Sequence, residues 1–146
     1  MPNKGIRIAG VILLLLCLVA VRFFENQLFY DPLIKYFHLV KASFPSVNEP
    51  KLYIHVFFRY MINLLLTVLI IKLIFWKQAY IKFTIIVGII LFIITLPLYA
   101  YQLHQEFNFG QMIFFYTRRF LIQPMLLIIL VPCFYYQEIT NKKATK

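Results

Sequence analysis

The sequence predicts an all-α membrane protein, a four-transmembrane-helix bundle whose N- and C-termini are both cytoplasmic. Hydrophobic residues make up 62% of its 146 residues and charged residues only 14%, whereas a typical soluble domain has about 25% charged residues. The apolar residues form continuous runs instead of alternating with polar ones, which excludes the strands of an outer-membrane β-barrel. At this length, we expect one transmembrane domain over residues 1–146.

Four apolar runs approach the roughly 20 residues that a helix needs to cross a bilayer. The predicted spans are residues 6–24, 54–76, 83–101 and 120–136. Residues 25–53 form an outer loop, because its X–Pro steps break helices; whether residues 33–40 form a helix on the membrane surface is left open. Residues 112–117 are expected in the interface before the fourth span, and residues 137–146 form a frayed polar tail.

The basic residues predict the orientation of the bundle. The tight turn from Lys77 to Lys82 and the basic tail that ends at Lys146 favour the cytoplasmic side for both termini. Basic residues at helix ends and their contacts with anionic headgroups explain most of the formal charge of +10. The lipid bilayer is therefore the expected partner, and nucleic acid is not.

Polar side chains at membrane depth are costly, so each marks a candidate functional site. Arg22 and Glu25 are three residues apart and Arg59 and Asn63 are four apart, so each pair can share a helix face. In the predicted topology these pairs lie in one outer layer with the arginines of the fourth span. Arginine suits such a layer because it binds carboxylate or phosphate in a bidentate manner. The candidate partner- or anion-binding residues are Arg22, Glu25, Asp31, Arg59, Asn63, Arg118, Arg119 and Gln123.

A structural role for the same layer stays open. The arginines would then extend to outer headgroups or pair with Glu25, Asp31 and Glu106. Pro124, one helical turn inside the arginine pair, is expected to kink the fourth helix. The backbone carbonyl that such a kink frees would otherwise help to line a polar cavity.

The sequence favours binding over catalysis. His38, His55 and His104 fall in loops or at helix ends, and none has the ligand spacing of a zinc site. With only 4 glycines the chain has no phosphate-cradling loop, and it carries no recognised nucleophile motif. We therefore expect no metal and no cofactor, and we assign no catalytic residue.

Two long stretches carry a family resemblance. The first is Arg22-Phe-Phe-Glu-Asn-Gln-Leu-Phe-Tyr-Asp-Pro32, and the second is Phe115-Tyr-Thr-Arg-Arg-Phe-Leu-Ile-Gln-Pro124, which continues to Pro132-Cys-Phe-Tyr-Tyr-Gln137. With Arg59 and Asn63 between them, they resemble the bacterial exosortase F system-associated membrane proteins over nearly the whole chain. The matching positions are Arg22, Glu25, Asp31, Pro32, Arg59, Asn63, Arg118, Arg119, Gln123 and Pro124.

The resemblance implies an association and no particular chemistry. Members of this family are encoded beside an exosortase, a transpeptidase-like membrane enzyme that processes proteins with a C-terminal sorting helix. It implies a multi-pass protein of the bacterial cytoplasmic membrane, with the exosortase or its cargo as partner. The exosortase carries its own Cys/Arg/His active site, for which this chain has no matching set.

Three hypotheses follow. In the first, the chain is a non-catalytic accessory protein of an exosortase-type sorting system, and it binds the exosortase, its cargo or a lipid-linked acceptor through the arginine layer. In the second, it is a membrane enzyme that acts on a phospholipid or polyprenyl phosphate, with Glu25 or Asp31 as the base. In the third, it is a small transporter subunit. The sequence leaves the oligomeric state open.

Overall fold

The computed structural model describes residues 3–29, 48–105, 111–122 and 124–144, and within these ranges the chain is helical, without strands. The all-α prediction is therefore confirmed. The helices are α1 (Lys4–Phe23), α2 (Glu25–Leu28), α3 (Glu49–Phe75), α4 (Gln78–His104), α5 (Gln111–Ile122) and α6 (Met125–Ala144).

The long helices have the length and composition of membrane spans. Helices α1, α3 and α4 are each long and apolar enough to cross a bilayer. Helices α5 and α6 meet the same criterion only together, as a pair bent by 66° at the break around Pro124. The described chain thus has three helices that suit a membrane, or four if the bent pair is one span. This supports a membrane protein.

Helix α3 is the central helix of the bundle, because it packs against α1, α4, α5 and α6. Within its most apolar segment, 44% of the residues are buried inside the protein, against 6% for α1 and 11% for α4. Its buried residues recur every three or four positions, as expected for one face of a helix. They are Leu52, Val56, Arg59, Tyr60, Asn63, Thr67, Ile70 and Ile71.

Two hydrophobic clusters lie towards opposite ends of α3. We call the end where α1 finishes and α3 begins the arginine end; its cluster contains Leu52, Val56, Tyr60, Tyr99, Leu103, Phe114 and Leu121. We call the opposite end the lysine end; its cluster contains Leu18, Ile70, Ile71, Tyr80, Leu127, Leu130 and Phe134. Aromatic stacking joins the helices within each cluster. The ring centroids of Tyr99 and Phe114 are 5.2 Å apart, and those of Tyr80 and Phe134 are 4.4 Å apart.

At the lysine end, polar contacts connect α1 with α3 and the turn after α3 with α6. The Arg7 side chain donates to the carbonyl oxygens of Leu73 and Ile74 in the last turn of α3. The Nζ of Lys77, between α3 and α4, lies 2.8 Å from a carboxylate oxygen of Glu138 in α6. The start of α1, the end of α3 and the end of α6 are therefore close together.

Several helix boundaries differ from the predicted spans. The predicted loop over residues 25–53 contains α2 and the first turn of α3, where Pro50 lies. Proline is tolerated there because the first-turn N–H groups have no partner inside the helix. Helix α6 continues to Ala144, so most of the predicted polar tail is helical. Lys142 and Lys143 favour this extension, because cations at the end of a helix interact well with its dipole.

Residues 112–117 belong to α5, and two of them, Phe114 and Thr117, are buried against the protein. Phe114 is 1% exposed and stacks on Tyr99 of α4. The possible surface helix over residues 33–40 lies outside the described residues.

Candidate functional site

The centre of the candidate site is an ion pair between Arg59 of α3 and Glu25, the first residue of α2. Arg59 Nη2 donates to Glu25 Oε2, and the arginine side chain is buried with 5% exposure. At about 1.5 Å per residue, Arg59 lies roughly 15 Å along α3 from its first residue. A charge at that depth needs a partner, because removing it from water costs several kcal/mol. Glu25 provides the opposite charge.

The short helix α2 positions this carboxylate. The chain leaves the α-helical path at Phe24, and the four residues of α2 follow immediately. The turn brings Glu25 towards α3 and also places Phe29 near the arginine, with Arg59 Cζ 5.5 Å from the centre of the Phe29 ring. A guanidinium over an aromatic face gains a further electrostatic attraction. Both ends of α2 therefore help to hold Arg59.

A cleft of about 150 Å³, which we call the arginine cleft, lies beside the ion pair, between α1, α3 and the break that precedes α6. Arg22 and Arg59 supply its cationic groups, and Asn63 supplies an amide. The rest of its wall is apolar. Its lining residues are Leu18, Val19, Val21, Arg22, Arg59, Asn63 and Pro124.

The two cleft arginines differ in exposure. Arg59 is buried, whereas Arg22, in the last turn of α1, is exposed. Arg22 and Arg118 are close enough to Arg59 for their positive charges to repel that of Arg59. Like charges held together in a site of low polarity attract anions strongly. The arrangement thus suits binding of a carboxylate or a phosphate group.

A second, smaller cavity lies deeper in the bundle. Its volume is about 20 Å³, close to what one water molecule needs. Asn63 and Pro124 border both this cavity and the cleft, and Thr67 donates to the Asn63 carbonyl oxygen at 2.8 Å. The remaining lining residues are Tyr60, Leu64, Thr67, Leu91, Thr95, Phe120 and Leu126. The two cavities are therefore neighbours that share Asn63 and Pro124.

The structure brings most of the predicted site residues together. Arg22, Arg59, Asn63 and Pro124 line the cleft, and Glu25 binds Arg59 beside it. Of the other predicted residues, the described Arg118 and Arg119 do not line it. Arg118 is half-buried and electrostatically coupled to Arg59, and Arg119 is exposed. Asp31 and Gln123 lie outside the described residues.

Some residues of the site were missed from the sequence. Leu18, Val19 and Val21 form the apolar wall of the cleft, and Phe29 faces Arg59. Leu18 precedes Arg22 by one helical turn, which is the only local signal of its role. Apolar residues are so common in α1 that their pattern alone does not single out these three.

The polar side chains that line the cleft are two arginines and an amide, which can bind an anion. Among the residues that the structure describes, no three His, Cys, Asp or Glu side chains are grouped so that they could hold a metal ion.

Comparisons of the chain with family models, curated proteins and solved structures find no match.

Proposed function

We propose that this chain is a non-catalytic accessory protein of an exosortase-type protein-sorting system, and that it binds an anionic group of its partner in the arginine cleft. It would cross the bacterial cytoplasmic membrane four times, with α5 and α6 as one broken span and both termini in the cytoplasm. The arginine end then faces outward. The family resemblance is the reason for choosing this sorting system, and the arginine cleft is the proposed binding site.

One observation carries the proposal: an exposed arginine and a buried arginine line the same small cleft. The buried Arg59 is oriented by Glu25, so little side-chain entropy is lost when a ligand binds. The exposed Arg22 gives an anion access from outside. At about 150 Å³, the cleft is smaller than the roughly 300 Å³ of typical ligand pockets, so it suits one charged group of a larger partner.

The partner group would be a carboxylate or a phosphate. A protein partner would offer a carboxylate, whereas a lipid-linked acceptor would offer a phosphate. Arginine binds both through paired N–H donors. The competing hypothesis of a lipid-phosphate enzyme uses Glu25 or Asp31 as its base. Glu25 is bound to Arg59 and does not line the cleft, which favours the binding role.

Co-purification tests this function. The full chain, tagged at its C-terminus, is extracted from native membranes in a mild detergent, and the proteins bound to it are identified by mass spectrometry. We expect the exosortase that is encoded beside this chain to be recovered with the unchanged chain. The variant Arg22→Gln should lose most of it, because Arg22 lines the cleft and its exposure makes the substitution harmless to folding.

Arg119→Gln is the matched control. Arg119 is also an exposed arginine near the same end, but it does not line the cleft. We expect this variant to retain the exosortase. Recovery of the chain alone from native membranes, or equal loss with both variants, would overturn the proposal. Turnover of a lipid phosphate by the purified chain would instead support the enzyme hypothesis.

A further inference from the structure

A second cleft lies at the lysine end, between the first turns of α1 and the last turn of α3. Its volume is about 330 Å³, within the range of typical ligand sites. On α1, its lining residues follow the three- and four-residue spacing of a single helix face. The residues that line it are Lys4, Arg7, Ile8, Val11, Ile12, Leu73 and Ile74.

This cleft has one cationic end and one apolar wall. Lys4 and Arg7, in the first turn of α1, carry the positive charges, and the apolar residues continue along α1 and α3. Ile8 and Ile12 are 62% and 53% exposed, so the apolar wall is open from the side. No side chain caps the first turn of α1, so its N–H groups add partial positive charge at the same end.

Arg7 is fixed in position by α3. Its Nε donates to the Leu73 carbonyl oxygen at 2.8 Å, and its Nη2 donates to the carbonyl oxygen of Ile74. Those carbonyls belong to the last turn of α3, where the helix itself supplies no donors. A guanidinium has five N–H donors, and these two bonds use two of them. Arg7 can therefore bind an anion without leaving α3.

We propose that this cleft binds an anionic phospholipid. Its phosphate would lie between Lys4 and Arg7, and its acyl chain would follow Ile8, Val11 and Ile12 along the open apolar wall. Charge complementarity selects this occupant: two cations sit at one end of an apolar surface that faces the lipid, which matches a charged head and an apolar tail. Basic pockets between membrane helices recognise anionic headgroups in the same way.

Native mass spectrometry of the full chain in detergent tests the proposal. The probes are phosphatidylglycerol and phosphatidylcholine with identical acyl chains. We expect phosphatidylglycerol to bind at least several-fold more tightly. Lys4→Gln should weaken its binding about fivefold, since one basic residue near an anionic lipid contributes about that factor. Lys4 is exposed and away from the Arg7 contacts with α3, so its loss should leave folding intact.

Two further variants make the result specific. Lys82→Gln removes one exposed charge near the same end but outside the cleft, and it should leave lipid affinity unchanged. Ile8→Trp keeps both cations, but its larger side chain occupies part of the cleft where the acyl chain would lie, so it should also weaken phosphatidylglycerol binding. Equal binding of both lipids, equal effects of Lys4→Gln and Lys82→Gln, or a dimer of the chain that forms in place of the lipid complex would overturn the proposal. The arginine cleft is at the other end, so this outcome is independent of the sorting function.

Discussion

At the scale of single residues, Arg59 poses the main energetic problem of the fold. It is 4% exposed on the central helix α3, and Glu25 supplies its opposite charge from a four-residue helix. The charge contributes little by itself to stability, because its desolvation opposes the attraction within the pair. Its role under the proposed function is binding, and Glu25 is the residue that supplies the buried arginine with an opposite charge.

Removing Glu25 should therefore destabilise the protein strongly. We expect Glu25→Gln to lower the free energy of unfolding by about 3 kcal/mol, because it leaves the buried charge of Arg59 without its carboxylate. Unfolding in mixed detergent micelles, followed by circular dichroism, measures this change. In the double variant Glu25→Gln/Arg59→Met, which has no buried charge, the loss should be smaller than with Glu25→Gln alone.

Glu138→Gln is the matched control for this prediction. It also removes a carboxylate from an ion pair, but its partner Lys77 is 51% exposed. Exposed pairs contribute little because water already solvates both charges. If Glu25→Gln and Glu138→Gln had equally small effects, Glu25 would not be what holds Arg59 in the bundle.

At the scale of helices, α3 and α4 approach closely at one glycine. Tyr60 of α3 donates its hydroxyl to the Gly88 carbonyl oxygen of α4 at 2.6 Å, and a side chain at Gly88 would overlap that of Leu64. The absence of a side chain at Gly88 leaves room for the end of the Leu64 side chain, which would have to move if residue 88 were larger. The close approach also gives the buried Tyr60 hydroxyl a hydrogen-bond acceptor, the Gly88 carbonyl oxygen, in an apolar environment.

Enlarging Gly88 should separate α3 from α4. We expect Gly88→Leu to lower the free energy of unfolding by about 3 kcal/mol, at the upper end of the usual cost of overpacking, despite the better helix propensity of leucine. Thermal unfolding in detergent measures the effect. Gly5→Leu is the control, because a side chain at Gly5 in α1 meets nothing within 4 Å. Equal stability of the two variants would contradict the close packing.

The sequence predicts helices better than it predicts their contacts. The apolar runs give α1, α3 and α4, and the four-residue spacing of Arg59 and Asn63 places both on one face. Gly88 has no second glycine four positions away, so the sequence gives no GxxxG packing motif, whereas the structure pairs it with Tyr60 of another helix. Such a partner depends on how helices pack, which local spacing does not encode.

Proline shows why boundaries are harder to predict than helices. The step from Glu49 to Pro50 breaks a helix that precedes it but suits the first turn of a helix that follows, and here α3 begins at Glu49. The candidate site has the same limitation. The sequence allows an arginine of the layer to pair with Glu25, but the choice of Arg59 depends on the turn at Phe24.

At the scale of the whole molecule, the polar contacts fix which helix ends lie together. Arg7 binds the last turn of α3, and Lys77 binds Glu138 of α6, so the beginning of α1 and the end of α6 lie at the lysine end. Glu49 and His104 approach to 3.5 Å at the opposite end. If the helices cross a membrane, we therefore expect the beginning of α1 and the end of α6 to lie on the same side.

Cysteine labelling of intact cells tests this arrangement. In a background in which Cys17 and Cys133 are replaced by serine, single cysteines are placed at the exposed positions Asn3, Lys51 and Lys142. An impermeant maleimide should label Lys51→Cys in intact cells, and it should label Asn3→Cys and Lys142→Cys only after the membrane is opened. The charge distribution predicts this direction, since basic turns and tails stay in the cytoplasm.

The pattern of labelling separates the fold from its orientation. If Asn3→Cys and Lys142→Cys were both labelled from outside while Lys51→Cys was protected, the bundle would be correct and only its direction reversed. If Asn3→Cys and Lys142→Cys were labelled from opposite sides, α5 and α6 would not cross the membrane as one broken span. The contact between Lys77 and Glu138 argues against that outcome, because it places Glu138 of α6 beside the turn between α3 and α4.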